Sequence, residues 1–235
     1  MPEPRQDMHV HSTFSDGANS LEENVAEAES LGLVELGCVD HVRVDTDWVP
    51  SYAAAVAAMR GRTEVRLQCG IEAKLLDTAG ALDLPEPCAG VDAIYAADHQ
   101  VPLDDGPHHP REIRAALEDG AVSAEEIVGA IVASTSAAVQ SHDGVVIAHF
   151  FSILPKVGLD ESGVALEPLE ALARATAASG ARIEISERWR CPSSRTLRPF
   201  AEQGVPILLS TDSHRRETIG RYEHCSGVLA ELASG

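Results

Sequence analysis

At 235 residues the chain has the length of one large α/β barrel, and 44% hydrophobic residues with only 4% aromatic ones call for a core of Ala, Val, Leu and Ile. A formal net charge of −19 argues against nucleic acid as a partner, because such binding depends on Lys and Arg neutralising phosphates, and no apolar run reaches membrane-spanning length. Met1 to Asp7 has no basic segment leading into an apolar one, so no secretory signal is expected and the cytoplasm is the default location.

Short apolar runs alternate with longer segments of helical pattern, the signature of repeated βα units on a largely parallel sheet. Seven runs rich in Val, Ile or Leu read as strands: Asp7–His11, Val34–Asp40, Val65–Glu72, Val91–Ala97, Gly144–Ala148, Ala181–Ser186 and Val205–Thr211. A helix begins after Ser20, where Glu23 completes a capping box, and stops at Gly32. Further helices are predicted over Tyr52–Arg60, Ser123–Gln140, Glu167–Ser179 (ended by Gly180) and Ser194–Gln203. Asp77–Gly90 and Pro102–Pro110, rich in Pro, Gly and Asp, read as loops. No repeat or linker divides the chain, so residues 1–235 are expected to form one domain.

The five cysteines are odd in number, scattered, and make no C-x-x-C pair, which points to free thiols in a reducing compartment. Cys38 and Cys69 sit inside apolar runs, as small buried residues do.

Metal-capable side chains stand at or just after the ends of the runs. His9 and His11 close the first; His41 follows the second; Glu72 ends the third; His99 and His149 follow the fourth and fifth; Glu184 lies within the sixth; Asp212 and His214 follow the seventh. In a parallel barrel these ends meet at one mouth. Six histidines and three carboxylates crowded there would desolvate one another at great cost unless cations lay between them. His9 and His11, two apart on a strand, face the same side and suit one ion. Imidazole and carboxylate ligands fit Zn, Mn or Fe. Asp7, two residues before His9, either orients a ligand or is an ordinary strand-start residue.

These motifs resemble the PHP (polymerase and histidinol phosphatase) family of phosphoesterases. His9-Val-His11 with Asp16-Gly17, then Val39-Asp40-His41, Gly70-Ile-Glu72, Asp98-His99, Ala148-His149 and Thr211-Asp212-Ser213-His214 are similar to its motifs, along nearly the whole chain. The resemblance implies a distorted (β/α)7 barrel with metals at the C-terminal strand ends and a trinuclear site. It assigns His9, His11, Glu72 and Asp212 to one metal, Glu72, His99 and His149 to a second, and Asp16, His41 and His214 to a third. Two departures stand out: Ala97-Asp98 precedes His99 where Gly-Ser is usual, and the sixth strand ends Glu184-Ile-Ser186 where Glu-Ile-Asn is frequent.

The implied chemistry is metal-dependent hydrolysis of a small, histidinol-phosphate-like phosphomonoester by water activated between divalent ions. Arg188 or Arg190, soon after the sixth run, is the expected phosphate clamp; Arg43, Arg215 and Arg216 also follow strand ends. Asp98 and His214 are both candidates to protonate the leaving group. Trp48 and Trp189 stand as either an apolar wall for the substrate or loop packing, while His108, His109, His142 and His224 fall outside the constellation. Competing readings are a phosphodiesterase or nucleotide-bisphosphate phosphatase of the same family, and a metal-dependent amidohydrolase. The last would be expected to have eight strands and a metal-bridging lysine, for which Lys74 is the only strand-end residue available.

Overall fold

In the computed structural model, which describes residues 5–234, seven parallel strands stand side by side: β1 Gln6–Val10, β2 Glu35–His41, β3 Arg66–Lys74, β4 Ala93–Ala97, β7 Val145–Ala148, β8 Arg182–Ser186 and β9 Ile207–Ser210. Residues 1–4, part of the segment weighed as a leader, lie outside the described range. The sheet order is β1-β2-β3-β4-β7-β8-β9. It curls until its edges meet: His11 N–H donates to Ser213 O at 2.8 Å and Ser213 N–H to His9 O at 3.2 Å. The result is the distorted (β/α)7 barrel, with every strand's C-terminal end at one mouth.

Helices α1 Leu21–Ser30, α2 Val49–Arg60, α4 Ala124–Ser141, α6 Leu166–Ser179 and α7 Ser194–Glu202 surround the sheet close to where the sequence puts them. The two expected capping boxes form, Ser20 with Glu23 and Ser123 with Glu126, and Gly180 ends α6 in the left-handed conformation. The barrel interior is filled by Met8, Val39, Ala93, Tyr95, Ala97, Val146, Ala148 and Leu208. Tyr95, wholly buried, donates its hydroxyl proton to the Met8 carbonyl across the interior. No helix among the described residues is long and apolar enough to cross a membrane.

Four elements depart from the sequence reading. The loop expected over Pro102–Pro110 contains a small antiparallel hairpin, β5 Val101–Leu103 with β6 Gly106–His108, whose three-residue strands carry no alternating pattern. Helix α3 (Pro110–Glu118) follows it, capped by His109 and Glu112; Ile113, its one buried residue, and Leu117 a turn later form an apolar edge too short to stand out in the sequence. Helix α5 (Leu154–Val157) is a single turn, and α8 (His224–Ser234) buries only Cys225 and Val228.

Candidate metal centre at the barrel mouth

The expected ligand residues converge on Glu72. Its carboxylate, 1% exposed at the end of the long β3, lies 3.4 Å from His9 Nε2, 3.5 Å from His11 Nε2, 2.8 Å from His41 Nδ1, 3.1 Å from His99 Nε2 and 2.8 Å from His149 Nε2. Asp212 Oδ1 approaches His11 Nε2 at 3.0 Å, and Asp16 Oδ1 lies 3.7 Å from both His11 Nδ1 and His41 Nε2 and 3.3 Å from His214 Nε2. Side-chain donor atoms gather in three overlapping groups: His9, His11 and Asp212; His41, Glu72 and His99; His11, Asp16, His41 and His214. The partition implied by the resemblance differs in three respects, the first being that Glu72 belongs to one group only, with His41 and His99. His11 and His41 each belong to two groups here, and His149 meets the centre through Glu72 alone.

Many of these contacts are close without being hydrogen bonds. His9 Nε2, both ring nitrogens of His11 and Glu72 Oε2 are buried with no hydrogen-bond partner. Buried polar atoms are normally satisfied, and a group of lone pairs aimed at a common space is the arrangement a cation completes. The donor set, imidazole nitrogens and carboxylate oxygens with no thiolate, suits a divalent metal, so the residues fit the ions that the family implies.

The electrostatics agree. Burial works against protonating His9, yet Glu184 and Glu72 outweigh it and raise its pKa well above the ordinary value. His149 is likewise opposed by burial but lifted to about 10 by Asp98 and Glu72. Burial, helped by the charge of His9, lowers His11 to about 4. Against its burial, Glu72 is held well below the usual carboxylate range by His99, His9 and His41. The field of the site favours positive charge.

Backbone conformation helps present the ligands. His149 (φ 28°) and Asp212 (φ 49°) take left-handed backbone angles just beyond β7 and β9, a strain typical of functional turns. The loop after β1 folds back so tightly that a Cβ on Gly17 would stand 2.5 Å from His11 O, so only glycine fits beside the ligand strand.

A layer of carboxylates behind the ligands was only partly visible in the sequence. Glu184, noted there merely as lying inside the sixth run, is fully buried; both its oxygens sit 3.1 Å from His9 Nδ1, and Oε1 accepts the His149 backbone N–H at 2.9 Å. Asp40, quoted there in the His41 motif but given no role, accepts from the backbone N–H of Ser12 (2.9 Å) and Ser15 (3.2 Å) and from both hydroxyls at 2.6 Å, holding the turn that carries Asp16. Asp98 accepts from Ser152 Oγ at 2.7 Å and lies 3.5 Å from His149 Nδ1, the face of the ring turned away from Glu72. Asp7 touches no ligand side chain. It accepts from Thr211 N–H, Thr211 Oγ and Gly220 N–H, and burial raises its pKa to about 6, so it is a tie between β1 and the segment after β9.

A cavity of about 650 Å3 opens over the cluster, bordered by Asp16, His41, Glu72 and His99 and by both lysines, Lys74 and Lys156. Lys156, not considered in the sequence, stands 4.0 Å above the Trp189 ring. Trp189 in turn donates its indole N–H to Asp212 Oδ2 at 2.6 Å, whereas Trp48 packs against Phe14 and Tyr52. Arg188 donates to Asp212 O at 3.2 Å and lies against His214. Arg190 is exposed, with its charge felt at His224, and Arg216 is paired with Glu217. His108 meets Asp105, His109 caps α3, and His142 ends α4, all away from the centre.

A parallel barrel with a histidine-carboxylate cluster at its C-terminal mouth defines a metal-dependent hydrolase. The PHP domain family model matches residues 7–188, and the chain belongs to that family of metal-dependent phosphoesterases. Among solved structures it is similar to a histidinol phosphate phosphatase from Lactococcus lactis subsp. lactis Il1403 complexed with zinc, L-histidinol and phosphate. That likeness has a TM-score of 0.65 at 17% identity and covers 97% of this chain and 93% of the other. A second similar structure is a putative histidinol phosphatase from Listeria monocytogenes, with TM-score 0.55 and 14% identity, covering 92% of this chain and 97% of the other. No curated protein matches.

Proposed function

We propose that this chain is a phosphatase acting on a small phosphomonoester with three divalent cations, zinc, manganese or iron. His9, His11, Glu72 and Asp212 would hold one, Glu72, His99 and His149 a second, and Asp16, His41 and His214 the third. The observation that carries the reading is the Glu72 carboxylate within 3.5 Å of five imidazoles, several of whose buried nitrogens have no hydrogen-bond partner. Bound there, the cations supply positive charge to the phosphoryl oxygens and acidify water for in-line attack.

The chain's own residues do the rest. Arg188, at the edge of the cluster, grips a phosphoryl oxygen; its contact with Asp212 and His214 favours it over Arg190. Lys156, held over Trp189 and bordering the cavity above the cluster, adds positive charge. Asp98 and Glu184 fix the rings of His149 and His9 and set which nitrogen faces the cluster. Neither candidate for protonating the leaving oxygen keeps a free proton in this reading: Asp98 is 2% exposed and engaged with Ser152, and His214 would give one ring nitrogen to the third cation while the other lies 3.0 Å from the Asp212 carbonyl.

The amidohydrolase reading loses support: Lys74 Nζ is paired with Asp83 at 3.1 Å, and the barrel has seven strands. The test is a panel of phosphomonoesters, phosphodiesters and amides offered to the metal-loaded protein, with histidinol phosphate among the first because the Lactococcus neighbour holds its two halves. Release of inorganic phosphate from monoesters is expected; preferential cleavage of diesters or amides would overturn the reading.

A further inference from the structure

A second cavity adjoins the metal cluster. It measures about 370 Å3 and is bordered by Glu187, Arg188, Asp212, His214, Arg215 and Arg221. Three arginines thus border one small space that shares Asp212 and His214 with the cluster, in a chain whose 37 acidic residues outnumber its 18 Lys and Arg.

The carboxylates at this cavity are already engaged. Glu187 accepts the backbone N–H groups of His224 and Cys225, each at 3.0 Å. Asp212 accepts the Trp189 indole N–H at 2.6 Å and faces His11 Nε2 at 3.0 Å. Two of the arginines are not engaged. Unlike Arg216, which meets Glu217 at 3.5 Å, Arg215 and Arg221 have no side-chain hydrogen bond or ion pair among the described residues.

The segment carrying them is nevertheless anchored. Thr218 Oγ contacts Ser213 Oγ at 2.9 Å, Thr218 N–H donates to Arg215 O at 3.0 Å, and Gly220 N–H donates to buried Asp7 at 2.9 Å. The anchored backbone fixes where the two exposed arginines start, which lowers the ordering cost of binding to that of their side chains. The volume matches a small polar group rather than a polymer.

We infer that this cavity binds a second anionic group, a carboxylate or a phosphate, on the organic part of the substrate. The inference rests on the phosphomonoester reading and narrows it: Arg188 lies between the cluster, where the scissile phosphate sits, and the space where Arg215 and Arg221 receive the second anion. A cationic leaving group such as histidinol would meet like charges there.

The test compares glycerate 3-phosphate, glycerol 1,3-bisphosphate, glycerol 3-phosphate and histidinol phosphate on the metal-loaded full chain. Both kcat/KM and equilibrium binding, followed by tryptophan fluorescence, are measured. The two compounds with a second anion should exceed glycerol 3-phosphate by about 10- to 100-fold, the scale of one or two charge-assisted hydrogen bonds. Which of the two leads separates carboxylate from phosphate recognition. In Arg215→Gln and Arg221→Gln, checked for folding by circular dichroism, that selectivity ratio should fall toward one. Equal binding of glycerol 3-phosphate and the doubly anionic compounds, or selectivity that survives in both variants, would overturn the subsite. Selective binding without phosphate release from any monoester would instead overturn the phosphatase reading and leave the anion subsite standing.

Discussion

Nδ1 of His9 lies 3.1 Å from both carboxylate oxygens of Glu184, and both side chains are fully buried. The contact turns Nε2 toward Glu72 and, with a cation bound there, favours the tautomer that carries its proton on Nδ1. Outer carboxylates of this kind typically contribute 10- to 100-fold to metal affinity. Glu184→Gln should weaken metal binding by about that range, measured by competition with a chromogenic chelator, and excess metal should restore activity. Unchanged affinity would mean that Glu184 only fills space.

Glu72 and His149 should differ. In the proposed partition Glu72, within 3.5 Å of five imidazoles, serves two cations, whereas His149 serves one and reaches the cluster through Glu72. Glu72→Ala should therefore lose more metal per chain than His149→Ala, as read by elemental analysis of the purified variants. Loss of the same single ion from both would contradict the bridging role.

Asp40 organises the turn of Ser12 to Asp16 through four hydrogen bonds. Removing the acceptor strands donors that are largely buried, at about 1–3 kcal/mol for each group left without a partner. Asp40→Ala should lower the melting temperature in calorimetry and release the cation that Asp16 helps to hold. An unaltered transition with full metal content would refute this.

Arg188 and Arg190 are two residues apart and should behave differently. Arg188→Ala should cost about 2–4 kcal/mol in kcat/KM, the scale of a charge-assisted contact made in the transition state, with metal content intact. Arg190→Ala should cost much less, since Arg188 meets Asp212 and His214 while Arg190 acts toward His224. Equal losses in steady-state kinetics would remove the distinction.

The convergence of the expected ligand residues was legible because a parallel sheet converts a one-dimensional regularity, polar residues at the ends of apolar runs, into proximity in space. His41, Glu72, His99 and His149 follow that rule. The supporting residues do not. Glu184 is mid-strand in β8, and its partner His9 is 175 positions away, so no local pattern announces the pair. Lys156 sits on a one-turn helix with no periodicity to place it. The hairpin of Val101–His108 escaped for another reason: Pro102, Gly106 and Pro107 are loop-forming residues, and three-residue strands leave them no alternation to override. Asp7 was left undecided because its partners, Thr211 and Gly220, are contributed by the other end of the chain.

The most direct measurement is divalent metal content set beside phosphate release, before and after treatment with EDTA. The purified chain should carry more than one divalent ion, lose phosphomonoester hydrolysis and thermal stability on chelation, and recover both when zinc, manganese or iron is returned. Full phosphatase activity in protein shown by elemental analysis to be free of metal would contradict the assignment of His9, His11, Asp16, His41, Glu72, His99, His149, Asp212 and His214 as its ligands.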